Sequence, residues 1–215
     1  MDFEDLQALV GREPVFESGI LLAGDVSPPY LRRQLSGWVT AGKLLQLRRG
    51  LYALAPPYQK VKPHPFLVAN RLRSGSYVSL QASLAYDSLI PEHVEAVTSV
   101  TTARPAHWET PLGRFTYRRI QPDLFFGYQR RILSSEPTQH AFIARPEKAL
   151  LDLVYLQPGG DSASYLQSLR LQNLDRLDIE ILRELSRQSE KPKLQRAATI
   201  IVQLVEDYKA EYEDL

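Results

Sequence analysis

The side chains in this sequence best placed to do chemistry are hydrogen-bond donors suited to nucleic acid. Arg32-Arg33 and Arg48-Arg49 lie in one stretch with Tyr30, Gln34 and Lys43, and from Tyr30 to Lys60 there are six basic residues and no acidic one. A guanidinium can donate to both major-groove acceptors of a guanine, a glutamine amide pairs with adenine, and any cation can neutralise a phosphate. Enzyme signatures are poor by comparison. The chain has no glycine-rich phosphate loop and no nucleophile-elbow serine. His64, His93, His107 and His140 are scattered singly, and a lone histidine is more often structural than a metal ligand. Glu147-Lys148, with Asp123 far upstream, resembles half of a nuclease-type carboxylate–lysine pair, but an acid in a first helical turn is better explained by the helix dipole. The expectation is a protein that is not an enzyme, with no catalytic residues, no cofactor and no metal.

Residues 27–54 must form the elements that present those donors. Ser27 suits an N-cap and Pro28 the first helical turn. Leu31, Leu35, Trp38 and Val39 recur at spacings of three and four, which makes one apolar stripe. Tyr30, Arg32, Arg33, Gln34, Ser36, Gly37 and Thr40 take the other face. Gly42 ends the helix, residues 43–47 are extended, Arg48-Arg49-Gly50 turns the chain, and residues 51–54 return. A helix of this kind can lie in a major groove while an arginine-tipped hairpin holds phosphates or enters the adjacent minor groove. Two helices should precede it. One spans residues 2–10, with Phe3, Leu6, Leu9 and Val10 on a face; the other spans 17–23, with Ile20, Leu21 and Leu22 apolar and Gly24-Asp25 as its break. A turn at residues 12–14 joins them.

This is the pattern of a winged helix-turn-helix. The expected DNA contacts are Ser27, Tyr30, Arg32, Arg33, Gln34, Lys43, Arg48 and Arg49. Two other readings stay open from the residues alone. A solvated basic helix beside any hairpin has the same pattern, and winged helices also serve as protein-interaction modules without specific DNA binding.

The chain has 215 residues, 44% hydrophobic and 24% charged, with a net charge of +1. Its basicity is local: residues 62–150 hold eleven basic side chains against seven acidic, and residues 151–215 hold eight against twelve. A protein that coats nucleic acid indiscriminately should be basic throughout, so a site-directed binder is expected. No window is apolar enough to span a membrane, and the acidic, amphipathic MDFEDLQALV is unlike a secretory signal. There is no cysteine, which excludes disulfides and thiolate sites and fits a cytoplasmic protein.

The fold class expected is α+β, in three parts: a winged helix-turn-helix over residues 1–57, a mixed α+β domain over 58–160, and a helical region over 161–215. Four prolines in residues 55–65 mark the first linker. In the middle part, residues 66–74 and 80–89 read as helices. Residues 77–79, 95–101 and 141–143 read as strands, as do 114–120, the partner of 95–101, while 123–128 is aromatic and extended. Residues 146–156, PEKALLDLVYL, form a helix opened by proline, and helices follow at 163–171, 178–189, with Asp178 as cap, and 192–212. Arg118-Arg119 and Arg130-Arg131 are equally compatible with a solvated sheet edge and a binding role, and Phe125, Phe126 and Tyr128 suit a core better than a base-stacking platform.

With these segments in view, the chain resembles the AbiEi-type antitoxins, bacterial winged-helix regulators of abortive-infection toxin–antitoxin pairs. The resemblance rests on PVF at residues 14–16, YLRRQL…GKLLQLRRGLYAL at 30–54, YVSLQASLAYDSLIPE at 77–92 and FIARPEKALLDLVYL at 142–156. It implies an N-terminal DNA-binding domain that represses its own operon at inverted repeats, and a following domain that acts in antitoxicity. The implied partner is a nucleotidyltransferase-like toxin neutralised in type IV fashion, without a stable complex. The implied DNA contacts are Tyr30, Arg32, Arg33 and Gln34 in the helix and Arg48 and Arg49 at the wing. Glu147, Lys148 and Asp152 fall in the second domain's helix with no catalytic role implied. The helices after Ser162 match nothing specific in the family.

Overall fold

The computed structural model describes residues 1–22, 27–91, 95–135 and 138–213. The first helix, α1 (Phe3–Val10), opens with a reciprocal capping box in which Asp2 accepts from the Asp5 amide and Asp5 accepts from the Asp2 amide, both at 2.8 Å. Its Phe3, Leu6 and Val10 are buried, whereas Leu9, expected on the same face, is 53% exposed. The chain then forms β1 (Phe16–Glu17), a 3-10 helix at Ser18–Leu22, α2 (Pro28–Thr40), β2 (Leu44–Arg48) and β3 (Leu51–Leu54). The three strands make an antiparallel sheet in the order β1-β3-β2.

The helix expected over residues 17–23 is present only as the 3-10 helix at Ser18–Leu22, and its expected last residue, Ala23, lies outside the described residues. Glu17 belongs to a strand opposite Leu51, and Ser18 donates its N–H to the Gly50 carbonyl at 2.9 Å. Three consecutive apolar residues cannot share one helical face; only Leu21 is buried, while Ile20 and Leu22 are 50% and 40% exposed. The expected break at Gly24-Asp25, like His93, lies outside the described residues.

Beyond the proline-rich segment come α3 (Pro65–Leu72), β4 (Ser76–Val78), α4 (Leu80–Tyr86), β5 (Ala96–Thr101), β6 (Ala106–Thr110), β7 (Gly113–Arg119), β8 (Tyr128–Ser135), β9 (Thr138–Ala144) and α5 (Pro146–Leu156). Six of these strands form a mixed sheet, β6-β7-β5-β4-β9-β8. The expected pairing of residues 95–101 with 114–120 is present as β5 beside β7, in parallel, because β6 intervenes as the antiparallel return. Residues 123–128 are not one extended run. A 3-10 turn occupies Pro122–Leu124, where proline fixes the backbone, and only Tyr128 enters a strand.

The C-terminal helices are α6 (Ala163–Ser168), α7 (Ile179–Gln188) and α8 (Pro192–Glu213). Helix α6 stops short of the expected Leu171, and Arg170 and Asn173 take positive φ in the segment that follows. Asp178 caps α7 as expected, accepting from Glu180 and Ile181 at 2.9 and 3.1 Å. The molecule is thus α+β, and its cores cross the boundaries expected from the sequence. Leu47, Leu51 and Ala53 of the β2–β3 hairpin share a cluster with Val68 of α3, Phe115 and Tyr117 of β7 and Ile143 of β9. Leu182, Leu194 and Ile201 of the last helices pack with Tyr77, Val100 and Leu150 of the middle part.

Candidate nucleic-acid interface

Helix α2 is held in place by its apolar stripe. Leu31 and Leu35 are 2% and 1% exposed in a core with Phe3, Leu6, Leu44 and Leu54, and Trp38 and Val39 pack at its margin. The helix ends in a Schellman closure: Lys43 N–H donates to Trp38, Gly42 N–H to Val39, and Gly42 takes a φ of +68°. That closure aims the chain directly into β2, so helix and hairpin have one fixed relation. Ser27 is the N-cap residue, but its side chain makes no capping hydrogen bond.

Of the eight expected contacts, the structure leaves four residues exposed besides Ser27 with its prolines: Tyr30, Arg32, Arg33 and Arg49. Arg32 bends back so that Nε donates to the Pro28 carbonyl at 3.2 Å, and the remaining guanidinium edge faces out. Arg33 has no side-chain hydrogen bond or ion pair among the described residues. The Cβ position of Gly37, on the same face, has nothing within 4 Å. A surface built in this way can offer bidentate donors to base edges.

The other three are engaged elsewhere. Gln34 turns toward the start of the chain, donating to the Met1 carbonyl at 2.7 Å and to Tyr30 Oη at 3.3 Å. Lys43 places its ammonium 4.7 Å from the centroid of the Phe3 ring. Arg48 is the largest departure. It sits in β2 rather than in the turn, and its Nε, Nη2 and Nη1 donate to the carbonyls of Leu72 (3.1 Å), Arg71 (3.3 Å) and Arg49 (3.1 Å). Glu17 lies 3.7 Å from the same guanidinium. Arg48 thus satisfies the last carbonyls of α3, which no helical amide can reach. It fastens the hairpin to the second sheet's helix, and Arg49 alone of the pair stays outward.

The nuclease-type pattern has a structural explanation. Glu147 is 3% exposed and accepts the Asp178 N–H at 2.8 Å, tying α5 to the start of α7; burial raises its carboxyl pKa above the usual range. Asp123 pairs with Lys191 at 2.8 Å. Lys148 and Asp152 form an ion pair with side chains only 3% and 1% exposed, and Asp152 also accepts from Tyr77 Oη at 3.0 Å and Ser79 Oγ at 2.8 Å. Burial, then the Asp152 charge, pushes the Tyr77 phenol far above its ordinary pKa. Gly127, at φ +72°, covers Lys148 so closely that a Cβ there would stand 3.0 Å from the lysine chain. This network joins α5 to β4 and offers a substrate no access. One signal for it was present in the sequence: Ala149, Leu150, Leu151, Leu153 and Val154 leave α5 no polar face on which Lys148 and Asp152 could be solvated.

Among the described residues, no group of three His, Asp or Glu side chains is placed to hold a metal, and no helix is long and apolar enough to cross a membrane. His64 caps α3 by accepting the Phe66 N–H on Nδ1 at 3.1 Å. No protein-family model matches this chain, and no curated protein matches it significantly.

Proposed function

We propose that this chain is a DNA-binding transcriptional regulator whose first 57 residues act as a winged helix-turn-helix, and that it serves as an autorepressing antitoxin of a type IV toxin–antitoxin pair. The observation that carries the DNA-binding reading is the open face of α2. Tyr30, Arg32 and Arg33 project from a helix whose other side is locked in a core, and a closed turn leads from it into a hairpin bearing Arg49. A preorganised donor surface of this kind is what base-edge readout requires. In this reading Arg33 specifies sequence and Arg49 holds phosphate. Gln34, Lys43 and Arg48 position the two elements and touch no DNA. The antitoxin role rests on the resemblance in residues 77–92 and 142–156, with a nucleotidyltransferase-like toxin as partner.

The test is a titration of the protein against its own upstream DNA and a scrambled duplex at two salt concentrations. Arg33→Ala should lose about 1–3 kcal/mol of discrimination between them. Arg49→Ala should weaken both duplexes alike and reduce the log–log salt slope by about 0.9, one phosphate's share. Equal, salt-abolished binding of the unaltered protein to both duplexes would overturn the reading and move the search to protein partners. Co-expression with a neighbouring nucleotidyltransferase-like gene, scored by growth, tests the antitoxin role separately.

A further inference from the structure

Helix α2 carries a residue whose cost is not recovered within the chain. Gly37 is the only glycine inside an α-helix among the described residues, and its carbonyl accepts the Ala41 N–H at 2.9 Å, so it belongs to the bonded helix. Glycine is the most destabilising helix-interior residue after proline, because it loses the most backbone freedom on folding. A glycine in such a place is accounted for when the backbone conformation demands it or when something stands where its side chain would be. Neither holds within this chain. The backbone at Gly37 is α-helical, without the positive φ that seven other glycines take. Among the described residues, no atom beyond its own helix lies within 4 Å of where a Cβ would be. At Gly160, by contrast, a Cβ would stand 2.6 Å from the Val154 carbonyl oxygen, so that glycine answers to a neighbour in the fold.

The place of Gly37 on the helix indicates what its neighbour would be. With about 3.6 residues per turn, it lies in line with Arg33 one turn earlier and Tyr30 two turns earlier. All three are exposed, Tyr30 by 53%, while Leu31 and Leu35 are buried on the other side. Two long donors therefore project from the start of this line, and toward its end the surface falls back to the main chain. A helix lying in a major groove contacts base edges with its N-terminal residues, and its later turns pass the groove wall.

We propose that Gly37 is a contact residue of the DNA interface: the groove wall packs directly on the α2 main chain there, and the missing side chain lets Arg33 reach base edges. This rests on the reading of α2 as a DNA-binding helix and adds a steric requirement that none of the donor residues carries. Contact differs from mere proximity in a measurable way. Near the wall but out of contact, an added cation would strengthen binding by neutralising phosphate. In contact, any added side chain holds the helix away and weakens binding, whatever its charge.

The unaltered protein, Gly37→Ala and Gly37→Lys are titrated by fluorescence anisotropy against the upstream DNA and a scrambled duplex, and unfolded in urea. Both substitutions put a better helix former at an open position, so both should raise the urea midpoint. Binding of Gly37→Ala to the upstream DNA should fall by about tenfold, the scale of one overpacked methyl group. Gly37→Lys should bind more weakly still, in spite of its charge. Unaltered or tighter binding by either variant, while the unaltered protein discriminates between the duplexes, would overturn the contact and leave α2 as the DNA-binding helix. A lowered urea midpoint would also overturn it, since the fold itself would then require the glycine. Equal binding of both duplexes by the unaltered protein would instead remove the DNA-binding reading, and this contact with it.

Discussion

Replacing Arg48 by alanine separates the role read from the sequence from the role seen in the structure. If Arg48 were a wing-tip phosphate contact, Arg48→Ala would weaken DNA binding and leave the fold untouched. In the structure it fastens the β2–β3 hairpin to α3 through Leu72, Arg71 and Arg49 carbonyls at 3.1, 3.3 and 3.1 Å. The partly buried bond to Leu72 involves a charged donor, a class of bond that contributes about 1.5–3 kcal/mol. The favourable position of a cation at a helix C-terminus adds about 0.3–1 kcal/mol. The bonds to Arg71 and Arg49 are exposed, and Glu17 at 3.7 Å is itself half exposed, so their contributions are at most about 0.5 kcal/mol each. Freeing the long side chain on unfolding offsets about 1–2 kcal/mol. The net expectation is a loss of about 2 kcal/mol, read as a lower urea midpoint at unchanged slope. Arg49→Ala, at an exposed position, should change stability by less than about 0.5 kcal/mol. Arg48→Lys keeps the charge but not the fork, and should recover only part of the loss. Equal midpoints for Arg48→Ala and Arg49→Ala would refute the assignment of Arg48 as a clamp.

Three further outcomes follow from the same contacts. Removing one partner of the Lys148–Asp152 pair strands a buried charge, so Lys148→Met should cost about 3–5 kcal/mol in chemical denaturation. The double variant Lys148→Met/Asp152→Leu should cost less than the single one, and additive losses would contradict a coupled network. His64 has its pKa lowered by burial, and its neutral Nδ1 caps α3; its contribution is therefore present above the unfolded value of 6.5 and is lost as pH falls below it through the folded value. The difference in stability between the unaltered protein and His64→Ala should shrink across that range, whereas a constant difference would count against the cap. Gly127→Ala places a Cβ 3.0 Å from Lys148 Cγ and 3.2 Å from Leu185 Cδ2 at a φ of +72°, and should destabilise by about 2–3 kcal/mol in thermal or urea unfolding.

What was legible in the sequence is what depends on neighbours along the chain. Helices α1, α2, α5, α7 and α8 follow from apolar spacing and from local signals such as the Asp178 cap, whose partners lie within a few residues. The basic, acid-free stretch and the helix-to-hairpin turn at Gly42 are equally local. Strands β6 and β8 were not legible, because an edge strand is half solvated and its pattern is weak; β8 even carries Ile132 66% exposed. The division into three parts failed to capture the shared cores for a related reason, since composition marks a linker but says nothing of what packs across it.

Only the tertiary structure separated residues that the sequence presents as equivalent. Arg48 and Arg49 are adjacent and identical, yet one meets the carbonyls at the end of α3 and the other meets solvent. Lys148 and Asp152 read as an ordinary i,i+4 pair on a helix surface until Tyr77 and Ser79, more than seventy residues earlier, close over them. In both cases the chemistry of the side chain was fixed in advance, but its partner was supplied by a distant segment. Burial and pairing are properties of the packed chain, and they decide whether a charge binds a ligand or holds the fold.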